Sequence, residues 1–383
     1  MIRLKLRMTV VIRAMGLTCA LLSALGCDGG KEPASKGKVM KPEQLGIIKL
    51  PSGTLLLLDP GYLDLWCHDR PVSPPPPAAG DVGPIVDLAI EGKDAEEAGR
   101  GFDRQPHPRF LFDIPRRNMA DMEKLFGEFV AKRGYQATLK VLEERVRHRR
   151  RIDLGLAQAP GGAAIQFHGL RACALGGLPK DKELPIHGER MAGGPYTDRW
   201  RHVFVQVNDM PIDRSEKLGD VFVDFARLMF ACADGIGTWV HEEPMDGKAD
   251  FVFWGLDAEK AAQKAGAPRL SDTDFGWTNL EVTTAAEKGV QVEEIRSRDG
   301  LKFATDFRPH SHNYELLKQI RASTTESGIV SLGTSKACGF STTWGDGIYP
   351  VYRDLARDGS LVRLRIDVGN DEIVERQREL DKR

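Results

Sequence analysis

Two histidines separated by one residue are the side chains of this sequence that most directly suggest chemistry. His310-Ser-His312 places two imidazoles close together, and a metal site there needs one or two further ligands from elsewhere in the chain. Pro309 and Ser311 also fit an ordinary helix start, with Ser311 as its cap. The helix start is the favoured interpretation, so we predict no metal and no cofactor.

A cysteine near the C-terminus becomes a candidate nucleophile if one of these histidines lies beside it. Cys338 precedes Gly339-Phe-Ser-Thr-Thr-Trp-Gly-Asp346, and either imidazole would activate its thiol. A buried or disulfide-bonded cysteine is the favoured alternative. If the protein is an enzyme, the first residues to test are Asp346, His310, His312 and Cys338.

Three other polar segments match a known kind of site only in part. His241-Glu-Glu-Pro-Met245 lacks the second histidine of a zinc-protease helix and contains a helix-breaking proline. Asp272-Thr-Asp274 offers two carboxylates without the remaining ligands of a calcium loop. Arg145-Val-Arg-His-Arg-Arg-Arg151 is basic, but adjacent acids and a lack of interleaved aromatic residues favour a solvated surface.

The common catalytic signatures are missing from the sequence. It contains no GxSxG elbow, no P-loop, no GxGxxG motif after a strand and no CxxC pair. These absences remove the common enzyme classes and favour a protein that binds over one that catalyses.

The N-terminus has the layout of an export signal. Residues 1–26 carry basic residues and no acid, followed by an apolar run over residues 14–25 that is shorter than the ~20 residues of a membrane-spanning helix. Leu22-Ser-Ala-Leu-Gly-Cys27 resembles the lipobox of bacterial lipoproteins, which implies cleavage before Cys27 and a lipid on its thiol. Cleavage nearby without lipidation is the alternative, and Met8 is a second candidate start.

A flexible tether is predicted over residues 27–43, which are polar and rich in Gly, Lys and Pro. The chain has 54 Lys and Arg against 55 Asp and Glu, so removal of the basic signal leaves a mildly acidic protein. An acidic protein is a poor nucleic-acid binder. The predicted partners are the membrane, through the anchor at Cys27, and a protein of the cell envelope.

Export permits disulfides, while the length of the chain equally permits buried free thiols at Cys67, Cys173, Cys232 and Cys338.

Short apolar runs separated by turn residues predict an α+β fold with largely antiparallel sheets and a few packed helices. A hairpin is predicted around Pro51-Ser-Gly53, and the unbroken leucines that follow predict burial on both faces. A second hairpin is predicted around Ala356-Arg-Asp-Gly359, with Arg363, Arg365 and Asp367 facing solvent. Further strands are predicted at 85–90, 109–112, 164–167, 202–207, 221–225, 250–254 and 328–332.

Four helices are predicted, over residues 118–133, 258–265, 312–321 and 371–380. In the first, Asn118 is the N-cap, and Met122, Leu125, Phe126, Phe129 and Val130 form one apolar face. The length suits two lobes, residues 44–208 and 209–383, or one continuous domain. Phe167-His-Gly-Leu-Arg-Ala172 and Phe253-Trp-Gly-Leu-Asp-Ala258 share a pattern, which is weak support for a duplication.

Motifs at both ends resemble an uncharacterised bacterial and phage family, domain of unknown function 4241 and its relatives. They are Pro51-Ser-Gly-Thr-Leu-Leu-Leu-Leu-Asp-Pro-Gly-Tyr62 and Trp344-Gly-Asp-Gly-Ile-Tyr-Pro-Val-Tyr352. The resemblance implies that the first and last strands share a sheet, and it supplies no catalytic residues. Asp59 and Asp346 suit hydrogen bonds to nearby backbone N–H groups.

The sequence therefore predicts a lipid-anchored binding or interaction protein of the bacterial cell envelope with an unidentified ligand. An immunity-like role is one form that this function could take. An envelope hydrolase with a non-standard site is the first alternative, and a structural component of the envelope is the second.

Overall fold

Antiparallel sheets with helices packed against them confirm the predicted α+β class. A computed structural model describes residues 41–68, 85–102, 107–192, 196–369, 375, 379 and 380. The predicted signal, most of the predicted tether and most of the predicted helix over 371–380 lie outside these residues.

Residues 43–206 form what we call the first half. Its strands and helices, in chain order, are β1 (Glu43–Lys49), β2 (Leu55–Leu58), a 3-10 helix (Pro60–Leu65), β3 (Ile85–Glu91), α1 (Ala95–Phe102), β4 (Phe110–Pro115), a short 3-10 helix (Arg116–Asn118), α2 (Met119–Arg133), β5 (Thr138–Val141), α3 (His148–Gln158), β6 (Ala163–Phe167), β7 (Leu170–Leu175), β8 (Glu183–Arg190) and β9 (Trp200–Gln206).

Residues 214–367 form the second half, which repeats this order apart from the short 3-10 helix. Its elements are β10 (Arg214–Val223), β11 (Arg227–Cys232), a 3-10 helix (Gly235–Thr238), β12 (Lys248–Trp254), α4 (Ala258–Ala265), β13 (Asp274–Glu281), α5 (Val282–Asp299), β14 (Ala304–Pro309), α6 (His312–Ala322), β15 (Ser327–Leu332), β16 (Ser335–Ser341), β17 (Gly347–Leu355) and β18 (Leu361–Asp367).

Two six-stranded sheets combine strands of both halves symmetrically. The outer sheet has the order β1-β8-β9-β18-β17-β10, and the central sheet has the order β15-β16-β11-β2-β7-β6. When each strand of the second half is replaced by its counterpart in the first, both orders read the same in either direction. The chain is therefore an internal duplication with approximate twofold symmetry.

The division predicted near residue 208 falls between the two halves but does not separate two lobes. Both six-stranded sheets cross it, and Val39–Arg383 forms one compact unit. The short pattern predicted to mark a repeat joins unlike positions, because one copy forms the β6–β7 turn and the other joins β12 to α4. The matching segments are Gly92-Lys-Asp-Ala-Glu-Glu-Ala98 and Gly255-Leu-Asp-Ala-Glu-Lys-Ala261, whose glycines have φ of 123° and 122°.

Each half also carries a small three-stranded sheet with its own core. The orders are β4-β3-β5 and β13-β12-β14, so the first strand of each lies in the middle. Helices α1 and α2 cover the former, and α4 and α5 cover the latter. These two small sheets position the residues of the candidate site.

The four leucines of β2 are buried because each face of the central sheet is covered. Leu55 and Leu57 belong to the core between the two large sheets, whereas Leu56 and Leu58 belong to the core under α3 and α6. The predicted hairpin of β1 with β2 is wrong: β1 pairs with β8, and β2 pairs with β7 and β11. The turn at Gly53, with φ of 69°, carries the chain from one sheet to the other.

The predicted helices over 118–133, 258–265 and 312–321 are confirmed as α2, α4 and α6. Ser311 caps α6 as predicted, since its Oγ accepts a hydrogen bond from the backbone N–H of Tyr314 at 3.2 Å. Asn118 makes no such bond within the described chain. Leu125 is 55% exposed, so it does not belong to the buried face of α2. Helices α1, α3 and α5 were not predicted.

Two predictions about side-chain surroundings also need correction or completion. The β17–β18 hairpin is present, but Arg365 and Asp367 are buried, and Arg365 donates hydrogen bonds to the buried Asp354. The four cysteines of the described chain are buried free thiols, the second of the two states left open by the sequence (Cys67, Cys173, Cys232 and Cys338). Both strands β1 and β18 lie in the outer sheet, as the family resemblance implies.

Candidate functional site

A buried aspartate marks the same position in both halves. Asp87 on β3 and Asp250 on β12 each lie at an irregularity in pairing with the neighbouring strand, between Val86 and Leu88 and between Ala249 and Phe251. Each accepts a hydrogen bond from a backbone N–H of that neighbour. The donors are Asp113 at 3.0 Å and Asn279 at 2.8 Å, and both donors have φ of 56°.

Such a positive φ is uncommon outside glycine and marks strained backbone. Because the same backbone conformation faces the equivalent aspartate in each half, Asp113 and Asn279 occupy equivalent positions. The connection from the third small-sheet strand to the next helix then approaches the aspartate, through residues 142–147 in the first half and 310–311 in the second.

A tryptophan–histidine pair fixes the start of the helix that follows. Trp66 stacks on His148 with ring centroids 5.1 Å apart, and Trp239 stacks on His312 at 5.7 Å. The backbone N–H of the residue after each tryptophan donates to Nδ1 of the histidine, at 3.1 Å from Cys67 and 2.9 Å from Val240.

These contacts give His312 a structural role. Because Nδ1 accepts a hydrogen bond, the neutral ring carries its proton on Nε2. Burial lowers the pKa of His312, and burial and the nearby arginines lower the pKa of His148 well below its ordinary value. His312 therefore holds α6 against the 3-10 helix of its half.

Arginines fill the site in the first half. Arg151 donates to Asp87 at 3.0 Å and also binds Asp113, and Arg145 binds Asp113 as well. The Arg151 side chain is 1% exposed and that of Arg145 is 8% exposed, so the predicted solvated surface is wrong for these two arginines, whereas Arg147 and Arg150 are exposed as predicted. Two buried carboxylates require these buried cations. Sequence alone gives no sign of that pairing, because the partners lie 38 and 64 residues away.

The same region contains a group of side chains with metal-ligand chemistry. The ligand atoms of Asp113, His148 and His168 all lie within 4.8 Å of one another. Nδ1 of His148 already accepts the N–H of Cys67, so its Nε2 carries the proton, and two guanidinium groups bind the Asp113 carboxylate. A cation does not fit this arrangement.

An open groove occupies the corresponding region of the second half. It consists of two cavities, of about 330 and 300 Å³, which share Asn279, Tyr314 and Lys318 as lining residues. Asp246, His310 and Glu315 line the first cavity, and Asp250, Asp274 and Arg308 line the second. We refer to these two cavities together as the groove.

His310 joins two carboxylates at the groove. Its Nδ1 lies 2.8 Å from Oδ2 of Asp246, and its Nε2 lies 3.1 Å from Oδ1 of Asp250. Burial alone would lower the pKa of His310, but the hydrogen bonds to the two carboxylates outweigh it and raise that pKa. Tyr314 donates its hydroxyl to Oδ2 of Asp250 at 3.0 Å, and burial together with this contact raises its pKa to about 12.

This arrangement limits the acid–base chemistry of the groove. As an imidazolium, His310 donates to a carboxylate from each ring nitrogen and has no lone pair with which to accept a proton. The Ser311 hydroxyl is buried and caps α6. The groove as built therefore presents hydrogen-bonding and charged groups to a ligand without an activated nucleophile among these residues.

The four residues predicted as first to test do not form one site. His310 lines the groove, whereas His312 packs on Trp239. Cys338 lies in the core between the two large sheets, where burial raises the pKa of its thiol to about 12. Its sulfur lies so close to Gly46 that a Cβ there would approach it to 2.8 Å.

The predicted role of Asp59 and Asp346 in binding backbone groups is confirmed. Oδ2 of Asp59 accepts the N–H groups of Asp224 and Phe225 at 2.8 and 2.9 Å, and Oδ1 of Asp346 accepts that of Ala226 at 2.9 Å. The two terminal motifs thus meet at the β10–β11 turn and stabilise its shape.

Sequence reasoning missed Asp250, Tyr314 and Asn279. One signal was available: a single acid interrupts an apolar strand in both Ile85-Val-Asp-Leu-Ala-Ile90 and Ala249-Asp-Phe-Val-Phe-Trp254. A buried acid in such a strand requires a partner, which makes it a marker of a site.

Comparison with known proteins adds no family at this point. No family model, no curated protein and no solved structure matches the chain significantly. Among the described residues, no helix combines the length and apolar character needed to span a bilayer.

Proposed function

We propose that the protein is a lipid-anchored binding protein of the bacterial cell envelope and that its ligand occupies the groove of the second half. The lipobox-like segment that ends at Cys27 supports the anchor, and the basic and apolar residues before it support export.

The main support for a binding site in the second half is its difference from the first half. At the same position, Arg145 and Arg151 fill the first half, while the second half has His310 and Tyr314 beside Asp250 and a groove in front of them. Both halves keep the buried acid and the strained backbone. An open groove beside a buried, hydrogen-bonded acid, present in the second half, favours a ligand site there.

Binding is favoured over hydrolysis by the state of the groove residues. A hydrolase needs a base with a free lone pair or an activated nucleophile within reach of its substrate. Both nitrogens of His310 are engaged by carboxylates, and Cys338 lies in a separate core. Hydrogen-bond donors and acceptors at fixed positions suit recognition of a polar ligand.

A groove-filling substitution tests the binding site. Thr278 is exposed and lines the groove, so Thr278→Trp blocks it without entering the core, and Thr283→Trp on α5 is the matched control. Ligand-observed NMR with the small molecules of an envelope extract should show bound signals for wild type and Thr283→Trp that are lost with Thr278→Trp. Signals that survive in Thr278→Trp, or that wild type never shows, contradict the proposal.

The anchor is tested separately by the intact mass of the protein from membrane fractions. Wild type should begin at Cys27 with added acyl mass, and Cys27→Ser should be released from the membrane or remain uncleaved. An unmodified, soluble wild-type chain would refute the anchor and leave the groove untouched.

A further inference from the structure

We infer that the groove binds a ligand through a positively charged group, an amine or a guanidinium. This inference rests on the proposed function and adds the chemical class of the ligand. It comes from comparing the groove with the first half, where arginines fill the space beside the buried aspartate.

In the first half, the space beside the buried aspartate is already occupied. The Arg151 guanidinium lies against both oxygens of Asp87, at 3.0 and 3.3 Å, and also contacts Asp113. It reaches that position from the first turn of α3, and Arg145 reaches it from the preceding connection. In this copy, the space beside the buried acid is filled by planar cationic groups.

Different side chains replace these cations in the second half. Helices α3 and α6 have equal length and both begin with histidine, so Arg151 and Glu315 occupy the same helical position. Thus the fourth position of this helix carries a positive charge in the first half and a carboxylate in the second, where His310 and Tyr314 contact the buried aspartate instead. Asn279 takes the place of Asp113, so the second half has one acid fewer beside its buried aspartate. The carboxylate of Glu315 lies at the wall of the groove.

The charged side chains that line the groove differ in whether they already have an ion-pair partner. Arg308 is paired with Asp306 at 2.7 Å, and His310 is held between Asp246 and Asp250. Asp274 and Glu315 form no ion pair with any residue of the described chain, and the exposed Lys318 likewise forms none. Among the lining residues without an ion pair, the two acids Asp274 and Glu315 therefore outnumber the one base, Lys318, which favours a cationic group on the ligand.

A titration with defined small molecules tests the inference. Agmatine, which carries a guanidinium and an amine, is titrated into the mature chain by calorimetry, with inorganic phosphate and N-acetylglucosamine as anionic and neutral probes. Glu315→Gln and Asp274→Asn should each weaken agmatine binding by up to about fivefold, the upper end for an exposed charge pair. Glu259→Gln, an acid outside the groove that pairs with Arg269, is the control and should leave it unchanged.

Lys318→Ala should change the affinity for cationic and for anionic ligands in opposite directions. Removal of this like charge should strengthen agmatine binding by about twofold, whereas it would weaken the binding of an anion. If phosphate or the sugar binds instead and Thr278→Trp abolishes that binding, the cationic inference fails and the proposed function stands. If no probe and no extract component binds in a manner sensitive to Thr278→Trp, both fail.

Discussion

At the scale of single residues, burial decides which charged side chains belong to the core and which to the site. Arg151 and His310 approach equivalent acids, but Arg151 is enclosed whereas His310 borders a groove. A buried charge is tolerated only with a close opposite charge and complete hydrogen bonding. The two side chains should therefore respond differently to substitution and to pH.

Arg151→Ala should destabilise the chain strongly. It leaves Asp87 and Asp113 buried with one cation in place of two, and loss of one partner of a buried pair costs about 3–5 kcal/mol in the free energy of unfolding. Arg150→Ala, at the exposed neighbouring position, should change that free energy by less than about 0.5 kcal/mol. Urea unfolding measures both, and equal effects would show that the buried network is not a stabilising requirement.

The two histidines around Ser311 should titrate on opposite sides of the ordinary value of 6.5. The carboxylates raise the pKa of His310, and burial lowers that of His312. Because the folded pKa of His310 is raised, its imidazolium stabilises the folded chain fully below about pH 6.5, and this contribution is lost as the pH rises through the folded pKa.

NMR titration of the imidazole protons measures both pKa values directly. Asp246→Asn should lower the pKa of His310 and leave that of His312 unchanged, with Glu259→Gln as a control for a distant acid. A His310 that titrates below 6.5 in wild type would contradict the hydrogen bonds described at the groove.

At the scale of secondary structure, local signals were readable from sequence and pairing was not. Ser311 marked the start of α6 correctly, because a cap depends on neighbours in the chain. The β1–β2 hairpin failed, because the partners of each strand come from other parts of the chain. Helix α3 was missed because its arginines suggest a solvated surface until their distant acids are known.

Ser311→Ala should destabilise the chain by about 1 kcal/mol, the usual cost of removing an N-cap side chain. Asn118→Ala is the informative comparison, since sequence predicted a cap there and the structure gives it no capping hydrogen bond in the described chain. That substitution should stay within about 0.5 kcal/mol. Thermal unfolding distinguishes the two, and equal losses would contradict the assignment of caps.

At the scale of the whole molecule, duplication explains why the halves differ in chemistry. Both copies contribute to the same two large sheets, so both must fold, whereas in our proposal only one of them binds a ligand. The symmetry could not be predicted from sequence, because little more than the Gly-x-Asp-Ala-Glu-x-Ala segment before α1 and α4 remains shared. The groove was likewise hidden, since its residues come from β12, β13, β14 and α6.

The shared sheets predict that neither half is stable alone. The two middle strands of the central sheet, β2 and β11, come from different halves. Chains 41–208 and 209–383 expressed together should copurify as a one-to-one complex, whereas each expressed separately should be unfolded, aggregated or self-associated. Size-exclusion chromatography with light scattering reports the outcome, and a well-folded monomer of either half would contradict the shared core.

Hydrogen–deuterium exchange of equivalent peptides, with and without the small-molecule fraction of an envelope extract, tests directly whether the second half binds a ligand. Exchange should slow on β13 and α6 and stay unchanged on their counterparts β4 and α3, which provide an internal control within the same chain. Slower exchange confined to the first half, or equal changes in both halves, would contradict the claim that the second half alone retains a ligand site.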